Sequence, residues 1–192
     1  MSEQERRAQI MEAVERLLAR GGINAVTMRA VAAEADVSLR LVQYYGNTKD
    51  ELLSATLERL AEKSVQRWRA RVQHEGSKAP LDVIKLFFDE ALPTDTVSED
   101  FHRLGVSLEA LSISDPGVAG QAYQSHLSGL ADELADILRP DLTATIARRL
   151  ALEVMGLAHG VASLLMARQL SERDALALIK SYLARLEPLL ST

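Results

Sequence analysis

"DVSLRLVQYYGNTKDELL", residues 36–53, is the stretch on which the reading of this chain turns. It holds two helix starts. Ser38 is a good cap for a short helix, which stops at Gly46-Asn47, a pair that tolerates left-handed backbone. Thr48-Lys49-Asp50-Glu51 then has capping-box spacing and opens a longer helix. On the short helix, Val37, Val42 and part of Tyr45 turn to one side. Leu39, Arg40, Gln43 and Tyr44 turn to the other, where Leu39 and Tyr44 make a poor solvent face. They make a good major-groove face. Arginine pairs with guanine O6/N7, glutamine with adenine N6/N7, and an apolar edge meets a thymine methyl.

Outward from this stretch the periodicity is helical almost throughout, and no strand pattern survives. Ile10, Val14, Leu17 and Leu18 mark a first helix over residues 4–20, ended by Gly21-Gly22. Thr27 caps a second over residues 27–34. Three short helices, the last pair joined by a tight turn at Asp36-Val37, have the form of a helix-turn-helix module. The fourth helix runs from Thr48 to about Val72, about 40 Å, and "HEGSKAP" (residues 74–80) breaks it. Further helices follow Pro80, start at Ser98, open at Asp115-Pro116 and at Pro140-Asp141 (the latter reaching about Gln169), and start at Ser171 with Pro188 closing the last. The expectation is an all-α fold of nine helices, divided into a helix-turn-helix DNA-binding domain over residues 1–50 and a helical body over residues 51–192.

Composition agrees with a packed helical protein. Of 192 residues, 47% are apolar, enough for a substantial core, and the absence of cysteine excludes disulfides and thiolate metal sites. The N-terminus is charged and lacks the apolar run of a signal peptide, so a cytoplasmic protein is expected. Residues 150–167 imitate a membrane span but contain Glu153 and His159, and are read as a buried or interface helix. Residues 1–50 hold seven Lys/Arg and seven Asp/Glu. The remainder of the 22 and 27 is 15 and 20, so the whole net charge of −5 lies outside the first 50 residues. A neutral module beside an acidic body permits DNA contact at one end only.

The segment "TMRAVAAEADVSLRLVQYYGNTKDELL" also resembles the N-terminal signature of the tetracycline-repressor (TetR) family of transcriptional regulators. The shared elements are Thr27, Val31-Ala32, Val37-Ser38, Tyr45, Lys49 after Thr48, and Glu51-Leu52. The resemblance is specific over residues 8–55 and architectural beyond. It implies a homodimer that binds palindromic operator DNA through its first three helices and a small effector through its body, most often as a repressor. Position by position it implies that Leu39, Arg40, Leu41, Gln43 and Tyr44 face bases and that Thr27, Tyr45 and Lys49 meet phosphates. Arg29 reaches either, and Ser38 joins the same DNA-binding set. Two departures stand out. Asp36 replaces the usual glycine. Gly46 replaces the usual aromatic, a gap that Tyr44 or Tyr45 is available to fill.

In the body, the helices over residues 141–169 and 171–189 have apolar faces too broad for one-sided burial. Gly156 and Gly160 form a flat strip for close helix approach. With Leu164, Leu176, Ile179 and Leu183 they are the expected dimer interface. Trp68, Phe87, Phe88, His102, Leu108, Tyr123, His126, Met155 and His159 are the expected lining of an effector cavity, with core packing the competing reading of each. The pocket they would form favours a small, largely apolar molecule. The histidines lack metal-ligand spacing, and no phosphate loop, motif-spaced carboxylate pair or nucleophile elbow is present. No catalytic residue, metal or cofactor is expected. An all-helical interaction adaptor that does not bind DNA is the alternative.

Overall fold

The computed structural model describes residues 2–76, 79–114, 117–139 and 142–190. Among these it has nine helices and no strand: α1 (Glu3–Ala25), α2 (Met28–Glu34), α3 (Leu39–Tyr45), α4 (Lys49–Glu75), α5 (Pro80–Ala91), α6 (Thr96–Ser114), α7 (Val118–Leu138), α8 (Ala144–Met166) and α9 (Glu172–Leu190).

Local chemistry explains most boundaries. Ser2 and Glu5 form a reciprocal capping box at the start of α1. Thr27, Ser38 and Thr143 each accept a backbone N–H three residues on, and Ser171 does the same for Asp174. Four expectations are corrected. The first helix does not end at Gly21; helical turns resume to Ala25 across Gly22, whose φ of 62° breaks the regular geometry. Ser98 is not the cap of α6. Asp95 is, accepting the Ser98 N–H at 2.8 Å, with Ser98 buried in the first turn. α8 opens at Thr143 and stops at Met166, short of Gln169. Pro188 lies inside the last turn of α9, not beyond it. The starts expected at Asp115-Pro116 and Pro140-Asp141 lie outside the described residues.

The chain forms two compact units. The first comprises Met1–Glu62 and Asp100–His126. Its core gathers Ile10, Val14 and Leu17 of α1, Val31 of α2, Val42 of α3 and Leu52, Leu53 and Leu57 of α4. Leu104 and Leu108 of α6 and Ala119 and Tyr123 of α7 join the same cluster. Each leucine buried here contributes about 1.5–3 kcal/mol of transfer free energy. The N-terminal three helices therefore do not close a core alone: one side of it is completed by α6 and the start of α7.

The second unit comprises Lys63–Glu99 and Leu127–Thr192. α5 packs on α8 and α9, and α8 on α9. The core holds Trp68, Ile84, Phe87 and Phe88 with Leu134, Leu138, Leu150, Val154 and Ile179. Buried Glu90 accepts from Ser64 and from Arg67, with Arg71 at 3.6 Å, fixing α5 on α4. α8 is long and apolar enough to span a membrane by length and composition, yet only 33% of its most apolar window is buried within the chain.

Candidate nucleic-acid interface

Helix α3 is packed on its inner faces and open to solvent on the other. Val42 is fully buried, and Val37, Leu39, Leu41 and Tyr45 pack partly against the same core. This corrects the assignment of Leu39 and Leu41 to a purely outward face: both spend part of their surface on the core. Arg40 and Gln43 are exposed, and Tyr44 is 71% exposed. The outward set is thus two hydrogen-bonding side chains and one ring, projecting from a helix whose other faces are fixed.

The turn before α3 is closed by Val37 N–H donating to the Ala32 carbonyl at 3.0 Å. Gln9 of α1 donates from Nε2 to the Ala35 carbonyl at 2.8 Å. Asp36 sits at φ 51°, the left-handed region that glycine occupies at lower cost and that aspartate tolerates better than most. The resemblance to a glycine-bearing pattern at this position therefore has a backbone reason.

Beyond α3, the space beside Gly46 is taken by Leu52 of α4. The vacancy left by the missing aromatic is filled by neither tyrosine. Tyr44 points outward, and the Tyr45 hydroxyl donates to the Glu3 carbonyl at 3.2 Å, the two rings meeting edge to face at 5.0 Å. At the start of α4, Thr48 accepts the Glu51 N–H at 3.1 Å, while the Glu51 carboxylate accepts from Asn47, one residue earlier than a standard box. Lys49 is half-buried and donates from Nζ to the Ile23 carbonyl near the end of α1. It therefore bridges α1 and α4 in addition to any role toward phosphate. Thr27 is likewise a helix cap with an exposed side chain, accepting from Ala30 at 3.1 Å.

Electrostatically the module separates paired cations from unpaired ones. Arg16 and Arg20 of α1 both pair with Glu34 of α2, and these two guanidinium groups hold its carboxyl below the usual carboxylate range. Arg59 pairs with Glu12 and Glu15. Arg29 and Arg40 are exposed and have no ion-pair partner among the described residues.

The expected effector-lining residues are divided between the two units. His102, Leu108, Tyr123 and His126 belong to the first unit; Trp68, Phe87, Phe88, Met155 and His159 to the second. Trp68, Phe87 and Phe88 form a contiguous edge-to-face stack at 5.6 and 6.1 Å, and Trp68 donates to the Val83 carbonyl. His126 stands edge-on to Phe101, and burial pushes its imidazole below the ordinary histidine range. Leu108, Trp68, Phe87 and Phe88 are buried in the core, the reading that competes with cavity lining for each of them. Of the expected interface residues, Gly156, Leu164 and Leu176 are exposed and Gly160 and Leu183 half-buried. Ile179 departs from the expectation, being buried in its own unit's core.

Residues 10–56 match the family described as bacterial regulatory proteins, tetR family. The transcriptional repressor KstR of Rhodococcus jostii is 33% identical over 123 residues, 64% of this chain. The chain spans 55% of that repressor's length. A structure from a Rhodococcus species, assigned to the TetR family of transcriptional regulators, superposes with a TM-score of 0.81 at 20% identity, covering 97% of this chain and 99% of that one. A transcriptional regulator from Saccharomonospora viridis, solved in complex with choline, gives 0.76 at 19% identity over 96% of each chain. These relatives are regulators and not enzymes. Over residues 10–56 the chain carries the N-terminal module of the TetR family of bacterial regulatory proteins, and its fold across nearly the whole chain is similar to that of a TetR-family transcriptional regulator.

Proposed function

We propose that this chain is a cytoplasmic, effector-responsive repressor that binds a palindromic operator as a homodimer. Residues 1–50 serve as its DNA-binding domain and residues 51–192 as its ligand-binding and dimerisation body. The observation that carries the reading is α3: a capped helix, packed on its inner faces, that presents unpaired Arg40 with Gln43 and Tyr44 to solvent. In the proposed complex Arg40, Gln43 and Tyr44 face bases, with Leu39 and Leu41 contributing their exposed edges. Thr27, Ser38, Tyr45 and Lys49 line the phosphates, and Arg29 reaches either. The name of the KstR relative supports repression, and the choline-bound neighbour supports a small-molecule effector. A second copy is supported by the outward apolar residues of α8 and α9.

Repression released by an effector requires that the effector prefer the form that does not bind the operator. By reciprocity the operator then weakens effector binding by the same factor. A small, largely apolar effector suits a body whose second core is built from Trp, Phe, Leu, Ile and Val. The test is a gel shift of the full chain with the DNA upstream of its own gene. A shift that weakens steeply with salt is expected. Failure to shift any duplex at low salt would overturn the reading in favour of an interaction adaptor.

A further inference from the structure

The far end of the recognition helix is tied to the very beginning of α1. Tyr45 donates to the Glu3 carbonyl, and exposed Tyr44 stands against the Tyr45 ring. That end of α1 is a formed helix: Ser2 accepts the Glu5 N–H at 3.2 Å, and the Glu5 carboxylate accepts the Ser2 N–H at 2.6 Å. The first turn of α1 is therefore a fixed neighbour of the residues that face DNA.

Most cations of this unit are occupied. Arg16 and Arg20 are held by Glu34, Arg59 by Glu12 and Glu15, and Lys49 and Arg103 by the carbonyls of Ile23 and Ala19. Among the described residues, Arg6, Arg7, Arg29 and Arg40 are exposed and unpaired. Arg29 and Arg40 belong to the helices already assigned to DNA. Arg7 lines a groove of about 480 Å³ between α1 and α4, shared with Glu58 and Glu62, where an incoming phosphate would be repelled. Arg6 is different. It lies three residues, about 60° round the helix, from Glu3, and it is not among the residues lining that groove.

We propose that Arg6 is a DNA contact: its guanidinium meets a backbone phosphate just outside the half-site, so that α1 extends the interface past the end of α3. The inference rests on the DNA-binding reading above. Guanidinium suits phosphate because its fork of donors matches two phosphate oxygens. Such a contact positions the protein without reading sequence. The Glu5 carboxylate accepts from the Ser2 N–H at the helix cap and leaves Arg6 unpaired, while its charge still opposes an approaching phosphate. Glu3 lies on the same edge and offsets part of the attraction.

The test uses the full chain and duplexes selected by it from a random-sequence pool. Each is made in two lengths: one ends at the outermost recognised base pair, and one extends about a helical turn further on each side. On the long duplex Arg6→Gln should bind about tenfold more weakly, with a salt slope shallower by about one per protomer. Arg6→Lys should keep most of the slope, and Glu3→Gln should tighten binding. On the trimmed duplex the wild type and Arg6→Gln should bind alike. Equal losses on both lengths would mean a structural role and overturn the proposal, as would an unchanged slope on the long one. A loss that depends on flank sequence would overturn it too, pointing to base contact. If the wild type selects no duplex, the DNA-binding reading falls and this inference with it; if it selects one and Arg6→Gln changes nothing, only this inference falls.

Discussion

A methyl group placed on buried Gly46 would lie 2.7 Å from Cδ2 and 2.9 Å from Cγ of Leu52, which is itself fully buried. The backbone at 46 is extended, with φ −168°, so space and not conformation forbids a side chain there. Leu52 fills the space into which a side chain at 46 would project. Gly46→Phe should therefore cost about 1–3 kcal/mol through overpacking, and Leu52→Ala about 2–5 kcal/mol through the cavity it leaves. Combined, the ring should enter that cavity, and the double variant should be more stable than the sum predicts by at least about 1 kcal/mol. Strict additivity in denaturant unfolding would show that the two positions do not share one volume.

Arg40 and Lys49 should separate cleanly. Arg40 is exposed and makes no bond within the chain, so Arg40→Ala should leave stability unchanged. It should weaken the best operator by about 1–3 kcal/mol and relax sequence preference. Lys49 already donates to the Ile23 carbonyl. Lys49→Ala should therefore lower stability by about 1–3 kcal/mol, besides weakening all duplexes alike and reducing the salt slope by about one. Unchanged discrimination among operator variants in Arg40→Ala would refute the base-facing assignment. Unchanged stability in Lys49→Ala would deny the bridge between α1 and α4.

What the sequence made legible was local. Thr27, Ser38, Thr48 and Ser171 cap helices where expected, because a cap depends on one side chain and the next three residues. Ser98 misled because Asp95, three residues earlier, is as good a cap and reached the position first. The outward trio Arg40, Gln43 and Tyr44 followed from helical phase alone. The filling of the Gly46 space by Leu52, the Lys49–Ile23 bridge and the Tyr45–Glu3 bond depend on how whole helices dock, which no spacing rule contains. The same holds for the apolar body residues. Trp68, Phe87 and Phe88 carry the composition of either a pocket wall or a core, and only packing distinguishes the two.

Alkaline pH should loosen the protein through two tyrosines. Burial, with smaller contributions from Glu109 and Glu153 respectively, pushes the Tyr123 and Tyr182 phenols up to about 12. Each folded value exceeds the unfolded value of about 10. The stability linked to each is therefore complete below pH 10 and is lost as pH rises from 10 toward 12. Tyr123→Phe with Tyr182→Phe should flatten the fall in thermal midpoint across that window relative to the wild type. Tyr182→Phe alone should also stabilise modestly at neutral pH, since its buried oxygen lacks a hydrogen-bond partner among the described residues. Parallel curves for the double variant and the wild type between pH 10 and 12 would show that neither phenol is coupled to folding.

The proposed dimer makes the sharpest use of Gly160. A Cβ built at Gly156 or at Gly160 meets nothing within 4 Å inside the chain. In an isolated protomer a larger residue there is sterically free, and replacing a mid-helix glycine by alanine should even stabilise by about 0.5–1 kcal/mol. Beside these glycines Leu152, Leu164 and Leu176 stand 52%, 45% and 48% exposed, an apolar face that a second copy would cover. If α8 of two protomers cross there, a side chain at 160 is forced into the partner helix. Gly160→Leu should then convert a dimer to monomer by analytical ultracentrifugation without unfolding the chain by circular dichroism. Leu164→Glu should do the same through charge burial. Both variants should lose operator affinity, because a lone protomer engages one half-site and forfeits the effective concentration that the second supplies. An unaltered dimer in both variants, still binding its operator, would place the interface on another face; a wild type that sediments as a monomer would remove the dimer altogether.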